Sequence, residues 1–163
     1  MANGQSEVAA AQVELEIPID APRERVWRGL VDEIGLWWRR DFFVGKSVRE
    51  FILEPRPGGR VYEDWGDGRG MLWYTVISID QPAALQLAGH LLPGACGGSF
   101  GTTLLSIELE EGRGGSTLLK LSDSVVGRLG PELTGNLTEG WQLLIRDALK
   151  PHVENRMREE GAR

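Results

Sequence analysis

The sequence predicts an α+β fold in which a curved antiparallel sheet closes over one long helix. A single amphipathic helix is predicted from Pro131 to about Met157. The residues before it are predicted almost entirely as strands, separated by turns rich in glycine and proline. Because the helix carries a wide apolar stripe and only the sheet is large enough to cover it, we expect the two to pack around an interior that is either filled or hollow.

The apolar stripe of this helix follows the 3.6-residue helical period. It consists of Leu133, Leu137, Trp141, Leu144, Ile145, Ala148 and His152. The opposite side carries the charged residues Glu132, Glu139, Arg146, Asp147, Lys150 and Glu154. Leu143 lies outside the stripe, so we expect it to pack against a second subunit, as in a homodimer, or against the helix that holds Trp37.

The segments that precede the main strands are predicted as one strand and two short helices. Apolar residues alternate from Val13 to Ile19, which predicts a half-buried strand. Asp20 is the expected cap of a helix that starts near Pro22 and continues to about Leu30. A second short helix is predicted over residues 32–38, weakened by Gly35.

Six further strands are predicted between residues 48 and 123. Turn residues separate them, without intervening helices, so we expect antiparallel hairpins. The predicted strands cover residues 48–54, 60–65, 70–79, 84–89, 102–110 and 116–123. The Gly-rich stretch from Leu91 to Gly101 predicts a longer, mobile loop.

Length and composition predict one domain of ordinary size in 163 residues. We expect this domain at residues 12–157, with disordered tails at 1–11 and 158–163. The single Cys96 excludes an intramolecular disulfide, and we find neither a secretory signal nor a membrane span, so we expect a cytoplasmic protein. A net charge of −6 without a basic stripe argues against nucleic acid and anionic membranes as partners.

Several short motifs resemble a known superfamily. They are Ile19–Trp27 after the first strand, Leu36-Trp37-Trp38, Pro57–Glu63, Val76–Pro82 with Gly70 and Leu85, and Gly140-Trp141. In this order the chain resembles the START-like helix-grip superfamily (SRPBCC), and most of all the branch of homologues of the activator of heat-shock protein 90 ATPase, alongside polyketide-cyclase-like proteins. The resemblance implies a seven-stranded sheet that grips the helix around a hydrophobic cavity, but no single activity.

The candidate ligand-binding residues are large side chains suited to the wall of such a cavity. Six of the twelve aromatic residues are tryptophan, and each could instead simply fill the core. Trp141 is the strongest candidate because it lies mid-helix on the stripe. The full set is Trp27, Trp37, Trp38, Tyr62, Glu63, Trp65, Trp73, His90, Trp141, Leu144 and Ile145.

Glu63 has two alternative orientations. If Val61 and Trp65 point inward, strand alternation points Glu63 inward too, and a buried carboxylate needs a partner or has a raised pKa. The opposite register places Glu63 in water and Tyr62 inside. His90 is either a surface loop residue or a polar group at the cavity rim.

No catalytic or metal-binding arrangement is recognisable in the sequence. Two histidines and one cysteine lack the spacing of metal ligands, so we expect no metal and no cofactor. Cys96 lies near His90 in sequence, but on a loop without the geometry of a catalytic pair. His152 is expected to be a hydrogen-bonded, partly buried residue.

Three functions are compatible with these features. We favour a non-enzymatic binder or carrier of a small hydrophobic ligand, such as a lipid, a polyketide-like molecule or an aromatic metabolite. The first alternative is a cyclase or aromatase that uses Glu63, His90 or Tyr62 to move protons. The second is a co-chaperone-like module that binds another protein through its outer face.

Overall fold

Seven strands and a C-terminal helix form the two main layers of the protein, in a computed structural model that describes residues 7–92 and 98–162. The strands are β1 (Ala9–Ile19), β2 (Glu50–Leu53), β3 (Arg60–Gly66), β4 (Arg69–Asp80), β5 (Ala84–Leu91), β6 (Phe100–Glu111) and β7 (Thr117–Arg128). Between β1 and β2 lie helices α1 (Arg23–Val31) and α2 (Ile34–Trp37) and a 3₁₀ turn (Arg40–Phe42). The C-terminal helix consists of α3 (Leu133–Trp141), a π-helical segment (Gln142–Leu149) and α4 (Lys150–Gly161).

The strands form one antiparallel sheet in the order β1-β7-β6-β5-β4-β3-β2. Every neighbouring pair is antiparallel, and β1 and β2 form the two edges. Only β1, which pairs with β7, is far in sequence from its neighbour. The predicted fold class, a seven-stranded curved antiparallel sheet with a long C-terminal helix and two short helices after the first strand, is confirmed.

Some predicted boundaries differ from the structure. β1 begins at Ala9 and α4 continues to Gly161, so parts of the predicted tails belong to regular elements. The predicted cap of α1 is wrong: Pro22 occupies the cap position without a side-chain hydrogen bond, and the backbone N–H of Asp20 donates to Glu154 of α4. Residues 93–97 of the predicted mobile loop lie outside the described residues.

The core lies between the inner face of the sheet and the C-terminal helix. Strand alternation places one side chain in two on this face, and most of these are buried apolar residues. Leu105 of β6 and Leu119 of β7 are fully buried examples. From the helix, Ile145, Leu149 and Val153 are no more than 1% exposed. Burial of this shared apolar surface holds the two layers together.

The π-helical segment changes which helix residues face the sheet. The 3.6-residue period places Ala148 and His152 on the apolar stripe, but both are only half-buried. Leu149 and Val153, one position later in each case, are completely buried. Since a π-helix holds more residues per turn than an α-helix, the apolar face shifts by about one position after this segment.

A polar cluster joins α1 to α4 beside the core. Buried Arg25 donates a hydrogen bond of 2.9 Å to Glu33, and Nε2 of His152 lies 2.6 Å from the same carboxylate oxygen. Burial raises the pKa of Glu33, but its hydrogen bonds with His152 and Arg25 outweigh burial and leave this pKa below its ordinary value. His152 is therefore partly buried and hydrogen-bonded, as expected.

A matched pair of glycine substitutions tests how closely α1 packs against α4. A Cβ at Gly29 of α1 would lie 2.6 Å from a methyl group of Val153, whereas a Cβ at Gly135 of α3 would meet open space. Gly135→Ala should raise the free energy of unfolding by up to about 1 kcal/mol through helix propensity. Gly29→Ala should be about 1–3 kcal/mol less stable than Gly135→Ala because of overpacking. Urea unfolding followed by circular dichroism measures both, and equal stabilisation would contradict this close packing.

Candidate functional site

A cavity of about 380 Å³ lies between the C-terminal helix and the sheet. Its lining comes from the chain after α2, from strands β4 to β7 and from the first half of the C-terminal helix. Most of this lining is apolar and includes Trp38, Phe42, Phe43, Trp73, Leu133, Leu137, Trp141 and Leu144. Asp41, His90, Thr103, Asp123 and Asn136 are among its polar residues.

The interior deeper under the helix is almost filled. Only about 20 Å³ of free space remains there, bounded by residues such as Trp37, Tyr74 and Ile145. These side chains occupy the volume between sheet and helix that a larger cavity would need. The space that is large enough for a ligand therefore lies at one end of the helix rather than along its whole length.

Three indole rings form a corner of the cavity wall. The ring centroids of Trp38 and Trp73 are 5.9 Å apart at an interplanar angle of 71°. Those of Trp38 and Trp141 are 6.5 Å apart at 82°. Both pairs have the edge-to-face geometry that aromatic rings favour, which holds the rings at fixed angles to one another.

A buried carboxyl group forms the polar part of the cavity. Asp123 of β7 is 2% exposed and lies in the inward row that includes Leu119, Leu121 and Val125. Trp141 donates its indole N–H to one carboxyl oxygen at 2.8 Å, and the Thr103 hydroxyl hydrogen-bonds the other. The helix and two adjacent strands thus meet at this one group.

Burial determines the acidity of Asp123. Removal from water raises the pKa of this carboxyl above its ordinary value, and the hydrogen bonds from Thr103 and Trp141 only partly oppose this effect. Within the described part of the chain, no Lys, Arg or His forms an ion pair with Asp123. When this carboxyl group is ionised, no cationic side chain among the described residues is paired with it.

Glu63 points inward, the first of its two predicted orientations, and is completely buried. Its carboxylate accepts four hydrogen bonds of 2.8–2.9 Å, from the backbone N–H groups of Val44 and Gly45 and from the indoles of Trp65 and Trp73. We call this group of five residues the Glu63 clasp. It fixes two parts of the cavity wall, Val44 and Trp73, although Glu63 itself lies outside the lining.

Arg60, on the same strand as Glu63, is not its partner. Arg60 instead forms an ion pair of 2.6 Å with Glu54 and lies 4.4 Å from the ring centre of Tyr62. Four N–H donors take the place of a cation around Glu63.

The structure places five of the predicted ligand-binding residues in the cavity lining. These are Trp38, Trp73, His90, Trp141 and Leu144. His90 is exposed and alternates with the buried Leu87 and Gly89 along β5, so it lies on the outward face of this strand. The contact of these five residues with a ligand stays a prediction. The other six predicted residues lie outside this lining: Trp27, Trp37, Tyr62, Glu63, Trp65 and Ile145.

Different causes keep these six residues away from the cavity. Trp27 is buried in the core, and the Trp37 indole N–H donates to the carbonyl of Gly29 at 2.7 Å. Ile145 faces the filled interior. Tyr62 lies on the face of β3 opposite Glu63, whose carboxylate binds the indole of Trp65.

Asp123 and Thr103 are buried polar residues of the cavity that were not predicted from the sequence, and apolar lining residues such as Phe42 and Phe43 were not predicted either. A signal for Asp123 exists, since it interrupts an alternating row of leucine and valine in β7.

Among the described residues, no group of three or more His, Cys, Asp or Glu could hold a metal ion. No helix in the described ranges is long and apolar enough to cross a membrane.

Substitution of Glu63 tests the clasp. In Glu63→Gln one carboxylate oxygen becomes an NH₂ group that faces N–H donors, so we expect a loss of about 2–4 kcal/mol in the free energy of unfolding. Glu110→Gln is a matched control, because Glu110 pairs with Lys120 on the exposed side of the sheet. Urea unfolding measures both. An equal effect of the two substitutions would contradict the role of the clasp.

Comparisons with solved structures identify the same fold in several bacterial proteins. A protein of unknown function from Staphylococcus aureus is 15% identical, with a TM-score of 0.65, and the match covers 94% of this chain and 98% of that one. An uncharacterised protein from Rhizobium leguminosarum is 20% identical, with a TM-score of 0.66 and coverage of 91% and 97%. CalU16 from Micromonospora echinospora is 16% identical, with a TM-score of 0.56 and coverage of 93% and 88%. At these identities the similarity concerns the fold alone.

Sequence comparison supplies the family. No curated protein matches the chain significantly. The family model described as "Activator of Hsp90 ATPase homolog 1-like protein" matches residues 20–154, from the start of α1 to within α4. Its match covers most of the sheet and both short helices. The chain therefore belongs to the Activator of Hsp90 ATPase homolog 1-like family.

Proposed function

We propose that this protein binds a small, mainly apolar molecule in the cavity beside Trp141. One observation carries the proposal: about 380 Å³ of space remains at one end of a core that is otherwise filled. Protein interiors are normally close-packed, so space of this size needs an explanation. Its volume is in the range of small-molecule sites, which are mostly apolar with a few polar groups.

The composition of the lining supports an apolar ligand. Aromatic rings from three parts of the chain, the segment after α2, β4 and α3, converge on the cavity, and they offer large contact areas with few rotatable bonds. Leu137 and Leu144 add an aliphatic wall from the helix. The buried polar groups of the lining, Thr103 and Asp123, lie on the sheet side.

We place the entrance of the cavity between the chain after α2 and the end of β5. Phe42 and Phe43 are half-buried there, and Leu92 is 47% exposed. A ligand that enters here would cover apolar surface now in contact with water, which favours binding.

The two alternative functions have weaker support. A cyclase-type enzyme needs at least two of Glu63, His90 and Tyr62 at one cavity, but only His90 lies in the lining. A protein-interaction module is favoured by a filled interior with an apolar patch around Leu143. The interior has a cavity, and Leu143 is already half-buried within the single chain. A contact of Leu143 with a second subunit stays a prediction.

A pair of tryptophan substitutions on the same helix tests the proposal. Leu137→Trp adds a large side chain to the cavity wall, whereas Leu143→Trp adds it on the same helix outside the lining. The probe is adamantanol, a compact apolar cage with one hydroxyl group. We expect the wild type and Leu143→Trp to bind it with similar affinity and Leu137→Trp to bind it at least about tenfold more weakly, a change of about 1.4 kcal/mol.

Isothermal titration calorimetry measures these affinities, and circular dichroism checks that each variant is folded. Failure of the wild type to bind both adamantanol and its charged derivatives with the same carbon cage, or equal binding of adamantanol by the two variants, would contradict a ligand site in this cavity.

A further inference from the structure

The charge balance of the cavity indicates the chemical class of its ligand. Of the two acidic residues in the lining, Asp41 lies at the surface and forms an ion pair with Arg39 at 2.7 Å. Asp123 is buried and has no such partner among the described residues. The described lining contains no Lys or Arg. The inner part of the cavity therefore has one carboxyl group and no fixed positive charge to neutralise it.

A carboxylate that is buried with only two hydrogen-bond donors is costly, and either protonation or an accompanying cation removes that cost. The hydrogen bonds from Trp141 and Thr103 stabilise the ionised form, but burial still dominates and raises the pKa of Asp123. Two donors leave part of the acceptor capacity of the carboxylate free, since each ionised carboxyl can accept about four hydrogen bonds. A ligand with a positively charged donor would supply both the missing charge and a further hydrogen bond.

The aromatic corner offers a second, independent attraction for a cation. The faces of indole rings carry negative electrostatic potential, and tryptophan is the best partner for an ammonium group. Trp38, Trp73 and Trp141 are arranged edge-to-face, so the rings are turned at large angles to one another around one corner. The ring of Trp141 also donates its N–H to Asp123, which places ring and carboxyl side by side.

We propose that the cavity selects apolar molecules that carry a protonated amine or quaternary ammonium group, with Asp123 as the counter-ion and the three indoles around the cation. This inference rests on the proposed function, because it assigns a class of ligand to the same cavity. The apolar part of the ligand lies against Leu137 and Leu144, and the cationic end points toward β6 and β7.

Three ligands with one carbon frame test the proposal. Adamantylamine is protonated at neutral pH, adamantanol is neutral and adamantane carboxylate is negative, so the three differ chiefly in charge. For the wild type at neutral pH, we expect adamantylamine to bind at least about tenfold more tightly than adamantanol, and the carboxylate to bind most weakly. Calorimetric titration gives the three affinities.

Substitution of the counter-ion provides the second part of the test. Asp123→Asn keeps the shape of the side chain but removes its charge, so the amine-to-alcohol affinity ratio should fall to near unity. Asp147→Asn removes the same charge from the exposed face of the helix, where Asp147 pairs with Arg146. This control should keep the ratio of the wild type.

The outcomes separate the two proposals. If the wild type binds adamantanol as tightly as adamantylamine, or if Asp123→Asn keeps the preference for the amine, the cation proposal is overturned while the cavity remains a ligand site. If the wild type binds none of the three, both proposals fail. If circular dichroism shows that Asp123→Asn is unfolded, the wild-type affinities still test the proposal. Equal affinity of the wild type for the amine and the carboxylate would overturn the role of Asp123 as a counter-ion.

Discussion

The hydrogen bond between the Trp141 indole and Asp123 is the contact on which the arrangement of the cavity depends. It joins the C-terminal helix to strand β7 at 2.8 Å, at the border between filled core and open cavity. On one side of Trp141 the chain continues into the π-helical segment, where Leu144 still lines the cavity and Ile145 faces the filled interior. On the other side, α3 forms the helical wall of the cavity. The position of one ring thus separates the structural part of the interior from the part open to a ligand.

The Glu63 clasp keeps the opposite wall in place. The backbone of a short loop without regular structure does not by itself hold the loop over a cavity, because its N–H groups can bind water equally well. Glu63 instead receives the N–H groups of Val44 and Gly45, and the same carboxylate holds the indole of Trp73 in the lining. Two buried carboxyl groups therefore have different tasks. Glu63 is saturated by four donors and organises the wall, whereas Asp123 has capacity left for a ligand.

Much of the fold could be predicted because local patterns determine it. Alternating apolar residues and Gly-rich turns define the strands, and the long stripe around Trp141 defines the terminal helix. The shift of burial from Ala148 to Leu149 could not be predicted, since the stripe was traced with the α-helical period and the π-helical winding depends on packing against the sheet. The location of the cavity also depends on the volumes of side chains from distant parts of the chain. For this reason Trp27 and Ile145 fill the core instead of lining the cavity.

The polar residues of the site were harder to predict from the sequence than the fold. The histidines and the carboxyl of Glu63 are the polar candidates in the sequence, whereas Asp123 is a candidate because β6, β7 and the helix meet around it. The inward position of Asp123 follows from alternation in β7. Its contacts with the hydroxyl of Thr103 and the indole of Trp141 form only in the tertiary structure. Sequence periodicity can indicate that a carboxyl group is buried. Its partners, and hence its chemistry, depend on contacts between distant residues.

The most direct test of an open cavity with these walls is an NMR titration that follows the indole N–H resonances of the six tryptophans with adamantylamine. Single Trp→Phe variants assign the resonances. An accessible cavity predicts the largest shifts at Trp38, Trp73 and Trp141, which line it, and no shift at Trp27, which lies in the filled core. Largest shifts at Trp27 or Trp65, or an unchanged spectrum at saturating ligand, would contradict the account.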